Sequence, residues 1–191
     1  MQKKHFSLSA NPARVIAGSF LGVIITGTLL LMLPLSAKNG AVTNFFDALF
    51  TATSATCVTG LIVVDTYAHW TFFGQGVILS LIQIGGLGLV TLTLFFNLLI
   101  RRKLGLRTLQ LAQESTSASN FEDTPRLLRG IVGISLTVEA IGAVLLLPAF
   151  VPKYGMEGIF ISVFTSVSAF CNAGFDLLGR EGPYSSLIHY N

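Results

Sequence analysis

The stretch FTATSATCVTG at residues 50–60 recurs as FTSVSAFCNAG at residues 164–174, with Phe, Thr, Ser, Ala, Cys and Gly in register. A constant offset of 114 residues maps Pro34 onto Pro148 and Gly60 onto Gly174 with no insertion between them. A fixed offset held over such a length is the signature of an internal repeat. The sequence therefore predicts two copies of one structural unit.

The composition around this stretch is that of a membrane protein. Hydrophobic residues make up 52% and charged residues only 11% of the 191 residues, whereas soluble domains carry about 25% charged residues. Residues 15–33 and 72–100 contain no charge, and residues 130–151 contain one, Glu139. Each of these stretches meets the requirement of about 20 apolar residues for a membrane-spanning helix.

Each copy begins with a span that we expect to end at a Leu-Pro pair, Leu33-Pro34 and Leu147-Pro148, since proline disfavours helix at the residue before it. A short apolar segment follows, at residues 44–54 and at about 158–169. Such a segment reaches only about half-way across a bilayer, at about 1.5 Å per residue. Irregular backbone at that depth must be packed in protein or line a watery cavity.

The predicted fold class is therefore an all-α membrane protein of repeated units, each a helix, a re-entrant pore helix with a filter loop, and a helix, as in potassium channels. Four segments are predicted: an N-terminal arm at 1–14, a first repeat at 15–100, a basic loop at 101–129, and a second repeat at 130–191. The second repeat lacks a counterpart of the apolar stretch 72–100, so we expect the natural protein to continue.

Charge predicts the orientation. The arm and the basic loop carry nine of the twelve basic residues, and Lys38, Lys153 and Arg180 lie elsewhere. Cytoplasmic segments of membrane proteins are enriched in Lys and Arg, so we predict a multi-pass protein of the cell membrane with a cytoplasmic N-terminus. Because the bases flank apolar spans, the net charge of +3 indicates orientation and not a nucleic-acid partner.

The irregular loops are the candidate site. Gly60 and Gly174 are predicted to adopt positive φ, which a β-carbon penalises. Potassium filters replace the water shell of the ion with backbone carbonyls, and the partly negative C-terminal ends of the short helices favour a cation. The predicted potassium-binding carbonyls are those of Val58, Thr59, Gly60, Leu61, Asn172, Ala173, Gly174 and Phe175. Asp65 and Asp176 are weaker candidates, for the outer mouth.

Other chemistry is not indicated. His5, His69 and His189 are scattered, and no nucleophile lies near a base in the sequence, so no enzyme is predicted. The cluster Gly85, Gly86 and Gly88 lies in an uncharged span, which favours close helix packing over a dinucleotide cofactor; no cofactor is predicted.

Three further interpretations concern packing and the membrane boundary. Cys57 and Cys171 are interpreted as packing residues, and Trp70, Tyr67 and Tyr154 as an interfacial aromatic belt. Glu139 has two open interpretations. An ionisable group in a span is a functional candidate by default, and a neutral, hydrogen-bonded packing contact with a later repeat explains it at least as well, so it is left out of the ion site.

Three ordered motifs, at residues 52–61, 83–88 and 168–176, resemble the Ktr/Trk/HKT superfamily of potassium transporters, and within it the membrane subunits of Ktr systems, the KtrB group. The resemblance covers residues 14–176. It implies four repeats in one polypeptide, with the gating loop in the third, and a homodimer embedded in membrane lipid. It also implies a cytosolic nucleotide-binding regulatory subunit of the KtrA type.

The same resemblance implies potassium as the transported ion and sodium as a possible coupling or activating ion. Plant relatives with serine at the Gly60 position transport sodium, so glycine here favours potassium. With fewer than two complete repeats, the sequence leaves one alternative open: a non-conducting fragment or assembly subunit of such a system.

Overall fold

The computed structural model describes residues 12–88, 124–180, 182, 184 and 185. Within these ranges every regular element is helical, and one isolated backbone bridge joins Ala37 to Trp70. The predicted all-α class is therefore confirmed. The helices are α1 (Pro12–Met32), α2 (Phe45–Thr56), α3 (Thr66–His69), α4 (Phe72–Leu87), α5 (Thr124–Tyr154) and α6 (Glu157–Phe170).

The two short apolar segments form helices close to the predicted bounds. The side chain of Asn44 caps α2 by accepting a hydrogen bond from the backbone N–H of Phe46 at 2.9 Å, and Asp47 lies in the first turn. An acid near a helix N-terminus is favoured by the helix dipole. In α6 the corresponding first-turn acid is Glu157. Both helices thus begin with features that stabilise an N-terminus.

Hydroxyl side chains inside these short helices bond the helix itself. Thr51 donates to the carbonyl of Asp47 at 2.8 Å, and Thr56 donates to that of Ala52 at 2.7 Å. Ser162 of α6 likewise donates to the carbonyl of Gly158 at 2.7 Å. Local bonds of this kind satisfy a buried hydroxyl without a partner elsewhere. The helices can therefore carry polar residues and still pack as apolar elements.

The predicted end of the second outer helix at Leu147-Pro148 is wrong. Helix α5 contains both Pro148 and Pro152 and ends at Tyr154, whereas α1 does stop at Met32, before Pro34. A proline inside a helix costs about 3 kcal/mol. The extension buries Phe150 (1% exposed) and Tyr154 (8% exposed), and a large buried side chain contributes about 1.5–3 kcal/mol. Burial at the far end offsets the helix-breaking tendency of the prolines.

The core lies where α4 meets the short helices α2 and α6 of the two copies. Trp70, Ile78, Phe150 and Phe164 are each at most 1% exposed, and α4 contacts both α2 and α6. Trp70 and Tyr154 are buried in protein, so the prediction of an interfacial aromatic belt is wrong for these two rings, whereas Tyr67 is half-buried. The amide of Gln75 donates to the Trp70 carbonyl at 3.0 Å, so the residue closes the α3–α4 corner.

In the described part of the chain, one helical stretch is long and apolar enough to cross a membrane, at 129–154. Residues 16–32, 72–87 and 157–170 form shorter apolar helices. The predicted span 72–100 is seen only as far as Gly88, where α4 ends; its remainder and the basic loop from 101 to 123 lie outside the described residues. The predicted domain boundaries therefore stay predictions.

Candidate functional site

Helices α2 and α6 end in the same backbone turn. In the first copy the N–H of Val58 donates to the Ala55 carbonyl at 3.3 Å, and that of Thr59 donates to the Ser54 carbonyl at 3.0 Å. Val58 has φ 58°. This pair of bonds around one left-handed residue is the Schellman motif, which satisfies the last carbonyls of a helix.

The second copy repeats the turn at the offset of 114 residues. The N–H of Asn172 donates to the Ala169 carbonyl at 3.0 Å, and that of Ala173 donates to the Ser168 carbonyl at 2.7 Å. Asn172 has φ 57°. Positive φ at Val58 and Asn172 was not predicted, because valine rarely adopts it. Asparagine adopts positive φ more readily. Because Asn172 and Val58 occupy equivalent positions in the two copies, Asn172 could have indicated both turns from the sequence.

Two residues further on, both glycines have the predicted left-handed backbone. The φ of Gly60 is 73° and that of Gly174 is 72°. Each loop thus has positive φ at alternate residues, first at the helix end and then at the glycine. The predicted conformation of the two glycines is confirmed.

The structure brings the two loops together at these glycines. A β-carbon built on Gly60 would lie 2.6 Å from the Ala173 carbonyl oxygen, and one built on Gly174 would lie 3.3 Å from the Cα of Gly60. Distances below 3.0 Å are not tolerated by backbone atoms without a shift. Glycine at position 60 is therefore required both by its φ and by the close approach of the second loop.

The carbonyls at the ends of the two loops differ in their surroundings. The hydroxyl of Ser168 donates to the Phe175 carbonyl at 2.5 Å. In the first copy the equivalent Ser54 instead accepts from the Thr59 hydroxyl at 2.9 Å. The Phe175 side chain is 2% exposed and that of Leu61 is 60% exposed. The Phe175 carbonyl is therefore held toward α6, which makes it the weakest of the eight candidate ligands.

Helix α4 packs against the ends of both loops through glycines. A β-carbon on Gly85 would overlap the Thr56 carbonyl, and one on Gly86 would overlap the Cys171 sulphur. The predicted packing role is confirmed for these two residues, while Gly88 instead ends α4 with φ 79°. Cys171 packs as predicted, but Cys57 is exposed, and neither thiol is in a disulfide.

The two acids expected near the outer mouth are engaged in loop hydrogen bonds. Asp65 caps α3 by accepting from the Ala68 N–H at 2.7 Å, and it also accepts from the Tyr184 N–H at 3.0 Å. Asp176 accepts from the Leu178 N–H at 3.0 Å. Burial raises the pKa of Asp176, the bond from Leu178 opposes that effect, and the neighbouring Asp65 charge adds to it. These bonds order the loops around the site.

Glu139 connects the two copies. Its side chain is on the buried face of α5, and the amide nitrogen of Gln83 in α4 donates to both carboxyl oxygens, at 2.9 and 3.1 Å. The described residues show a hydrogen-bonded contact, but its partner Gln83 lies in the first repeat and not in a later repeat as predicted.

The sequence of this chain is similar to those of known cation transport proteins. The profile of the TrkH family, described as a cation transport protein, matches residues 2–188. The potassium/sodium uptake protein NtpJ of Enterococcus hirae is 39% identical over 180 residues, which cover 94% of this chain and 40% of that protein. The Ktr system potassium uptake protein B of Bacillus subtilis is 44% identical over 167 residues, covering 87% of this chain and 37% of that protein.

A third relative, the Ktr system potassium uptake protein B of Vibrio alginolyticus, is 44% identical over 165 residues, covering 86% of this chain and 36% of its own length. The chain therefore spans about two fifths of the length of these relatives. The similarity includes all the candidate site residues at 58–61 and reaches into the second copy.

Proposed function

The chain belongs to the TrkH family of cation transport proteins, within the Ktr/Trk superfamily, and from that premise we propose that it is part of the potassium-conducting membrane subunit of an uptake system. The observation that carries the proposal is the meeting of two equivalent loops at Gly60 and Gly174, each entered by the same turn at the end of a short helix. Relatives named for potassium uptake support the choice of ion. The family is one of transport proteins, not of enzymes.

In this proposal, backbone carbonyls of the two loops bind potassium. They are those of Val58, Thr59, Gly60, Leu61, Asn172, Ala173, Gly174 and Phe175. Positive φ at alternate residues rotates successive peptide planes, so neighbouring carbonyls can point to one side instead of alternating as in a strand. The C-terminal ends of α2 and α6 point into the loops and add partial negative charge. Both features support a cation at this place.

The short helices α2 and α6 act as re-entrant pore helices in this proposal. If α2 turns back, two crossings separate the N-terminal arm from the basic loop, so both lie on one side of the membrane, which we propose is the cytoplasm. The proposed protein is multi-pass, lies in the cell membrane, and works with two further repeats in a longer polypeptide. Four such loops close a potassium filter around the ion.

Partners and the coupling ion are proposed from the relatives. The names of the Ktr proteins describe a system, which supports a cytosolic nucleotide-binding regulatory subunit of the KtrA type beside a membrane homodimer. The name of NtpJ includes sodium, which supports sodium as a coupling or activating ion. No nucleic acid and no organic cofactor have a role in the proposal.

A second candidate follows from length. Because the chain spans about two fifths of its relatives, residues 1–191 by themselves are proposed to be non-conducting.

The test of both candidates is growth of a host that lacks potassium uptake, on low potassium. The full-length polypeptide carrying this sequence, expressed with its regulatory subunit, should restore growth, and residues 1–191 should not. A full-length protein that reaches the membrane and takes up no potassium would refute the proposed transport function. Growth restored by residues 1–191 alone would refute the need for further repeats.

A further inference from the structure

A single residue of the second copy bonds two other helices at once. The carboxyl oxygens of Glu139 in α5 accept from the amide of Gln83 in α4, at 2.9 and 3.1 Å. The backbone carbonyl of Glu139 accepts from the hydroxyl of Ser166 in α6 at 2.7 Å. Glu139 is 5% exposed and Ser166 is 6% exposed. Three helices from two copies therefore meet in one buried polar contact.

The helices joined by this contact are the ones that touch the loops. Gly86 lies three residues after Gln83, on the same face of α4, and it packs directly on the sulphur of Cys171. Cys171 follows Ser166 by five residues and ends α6. The contact at Glu139 links α4 to α6 through α5, and the contact between Gly86 and Cys171 links α4 to the end of α6 directly.

The repeat shows that the structural unit itself does not need this contact. At the offset of 114 residues, Glu139 corresponds to Ile25 and Ser166 corresponds to Ala52. Ile25 is 49% exposed, and the first outer helix and its short helix pack without either polar group. A buried carboxyl is costly at membrane depth. The Glu139 carboxyl bonds a residue of the first copy, Gln83, and none of the equivalent polar groups is present in the first copy. This difference indicates a role at the interface between the two loops.

We propose that Glu139 is a positioning residue for ion selection: its carboxyl holds α4 against α5 through Gln83, and its backbone carbonyl bonds α6 through Ser166, so that Gly86 stays against Cys171 and the two loops keep their spacing. This inference rests on the proposed function. Discrimination between potassium and sodium depends on where the carbonyls stand. A looser α4 should therefore change the ratio of apparent affinities for the two ions more than the maximal rate of uptake.

The experiment uses the full-length protein in the uptake-deficient host and measures the apparent affinities for potassium and sodium, the maximal rate, and the amount of protein in the membrane. Gln83→Leu removes the donor at similar size and should lower the potassium-to-sodium ratio about fivefold, which corresponds to about 1 kcal/mol. The reciprocal pair Gln83→Glu with Glu139→Gln re-forms the bond in the opposite direction and should return the ratio to within about twofold of the wild type.

Ser80→Ala is the matched control, because Ser80 lies one turn before Gln83 and its hydroxyl donates to the Gly76 carbonyl of its own helix. It should leave the ratio unchanged. If Gln83→Leu lowers the amount of protein in the membrane, Gln83→Asn replaces it. Asparagine keeps the amide but is shorter by one methylene, so it should also lower the potassium-to-sodium ratio.

The outcomes separate this inference from the proposed function. If Gly60→Ser lowers the ratio but neither Gln83 variant does, or if the reciprocal pair fails to restore it, the positioning role is refuted and the filter stands. If Gly60→Ser also leaves the ratio unchanged in an active protein, the filter assignment itself fails, and the positioning role fails with it.

Discussion

Gly60 and Gly174 lie against each other: a β-carbon on Gly60 would come within 3.2 Å of the Cα of Gly174 and within 2.6 Å of the Ala173 carbonyl oxygen. Each loop therefore occupies the space that a side chain on the other would need. The two loops position one another directly, and a change in one is passed to the backbone of the other without an intervening side chain.

Gly60→Ser in the full-length protein should lower discrimination between potassium and sodium. The new β-carbon meets both a left-handed φ, which costs about 1–2 kcal/mol, and the Ala173 carbonyl. If about 1.4 kcal/mol of discrimination is lost, the ratio of affinities falls about tenfold. Competition between the two ions in uptake measures this ratio.

The matched control for that variant is Gly40→Ser. Gly40 also has positive φ, at 67°, but a β-carbon there would meet nothing within 4 Å. It should reproduce the cost of φ without displacing the loops, and so keep the wild-type ratio. An unchanged ratio for Gly60→Ser in a folded, active protein would show that this loop is not the filter.

Gly174→Ser should act in the same direction as Gly60→Ser but less strongly. Its φ of 72° carries a similar penalty, but a β-carbon at Gly174 would meet only the Cα of Gly60, at 3.3 Å, which a small shift relieves. The two variants are compared in the same competition assay. A larger effect at Gly174 than at Gly60 would contradict the steric account and place the more sensitive carbonyls in the second loop.

Much of the fold could be predicted because the sequence contains the same structural unit twice, and each copy supports the prediction made for the other. The short helices appear near their predicted bounds, and both glycines have the predicted φ. The left-handed turn at Val58 was missed because residue preference is a weak guide where a helix end imposes the conformation. Asn172, the residue equivalent to Val58 in the second copy, indicated a left-handed backbone at this position. The hydrogen bonds of the Schellman turn explain why valine adopts it.

What the sequence could not predict depends on contacts between distant segments. The prolines Pro148 and Pro152 favoured an early helix end, and the burial of Phe150 overrides them. Trp70 reads as an interfacial residue until its complete burial is seen. Glu139 could not be assigned because its partner, Gln83, lies 56 residues away. In each case local preference is outweighed by tertiary packing that a linear pattern does not contain.

Acidification should destabilise the protein through His69, the last residue of α3. Burial lowers the pKa of His69 below the ordinary 6.5, and the Asp47 charge only partly opposes it. The unfolded chain then binds the proton more readily than the folded one, so stability is lost as pH falls through about 6.5. The His69 ring also lies 3.0 Å from the Thr43 hydroxyl through Nε2 and packs on Trp70.

The measurement for His69 is the melting temperature of the purified full-length protein in detergent, at about pH 7.5 and about pH 5.5, on either side of the ordinary histidine pKa. His69→Phe keeps a ring against Trp70 but cannot titrate, so it should lose less stability on acidification than the wild type. Other histidines are common to both proteins and cancel in the comparison. An equal loss in the two proteins would show that His69 does not carry the pH dependence.

The orientation predicts which positions an impermeant thiol reagent reaches from outside intact cells. Lys38 is exposed, its ammonium group lies 3.8 Å from the centre of the Tyr67 ring, and both residues share a cavity with Glu157 at the start of α6. This end of the molecule is the proposed outer side, so Lys38→Cys should react. Arg102→Cys should not, because the basic loop is proposed to be cytoplasmic.

The labelling must start from a protein without its own thiols, since Cys57 is exposed and would react wherever the loop is open to the outside. Cys57→Ala with Cys171→Ala, together with replacement of any cysteine in the rest of the full-length polypeptide, removes this background, and each single-cysteine variant is then labelled before and after the cells are made permeable. Lys38→Cys should give the same labelling in both states, and Arg102→Cys should be labelled only after permeabilisation. The reverse pattern would place the N-terminal arm outside and invert the proposed direction of the short helices, so that α2 and α6 would enter the membrane from the cytoplasmic side.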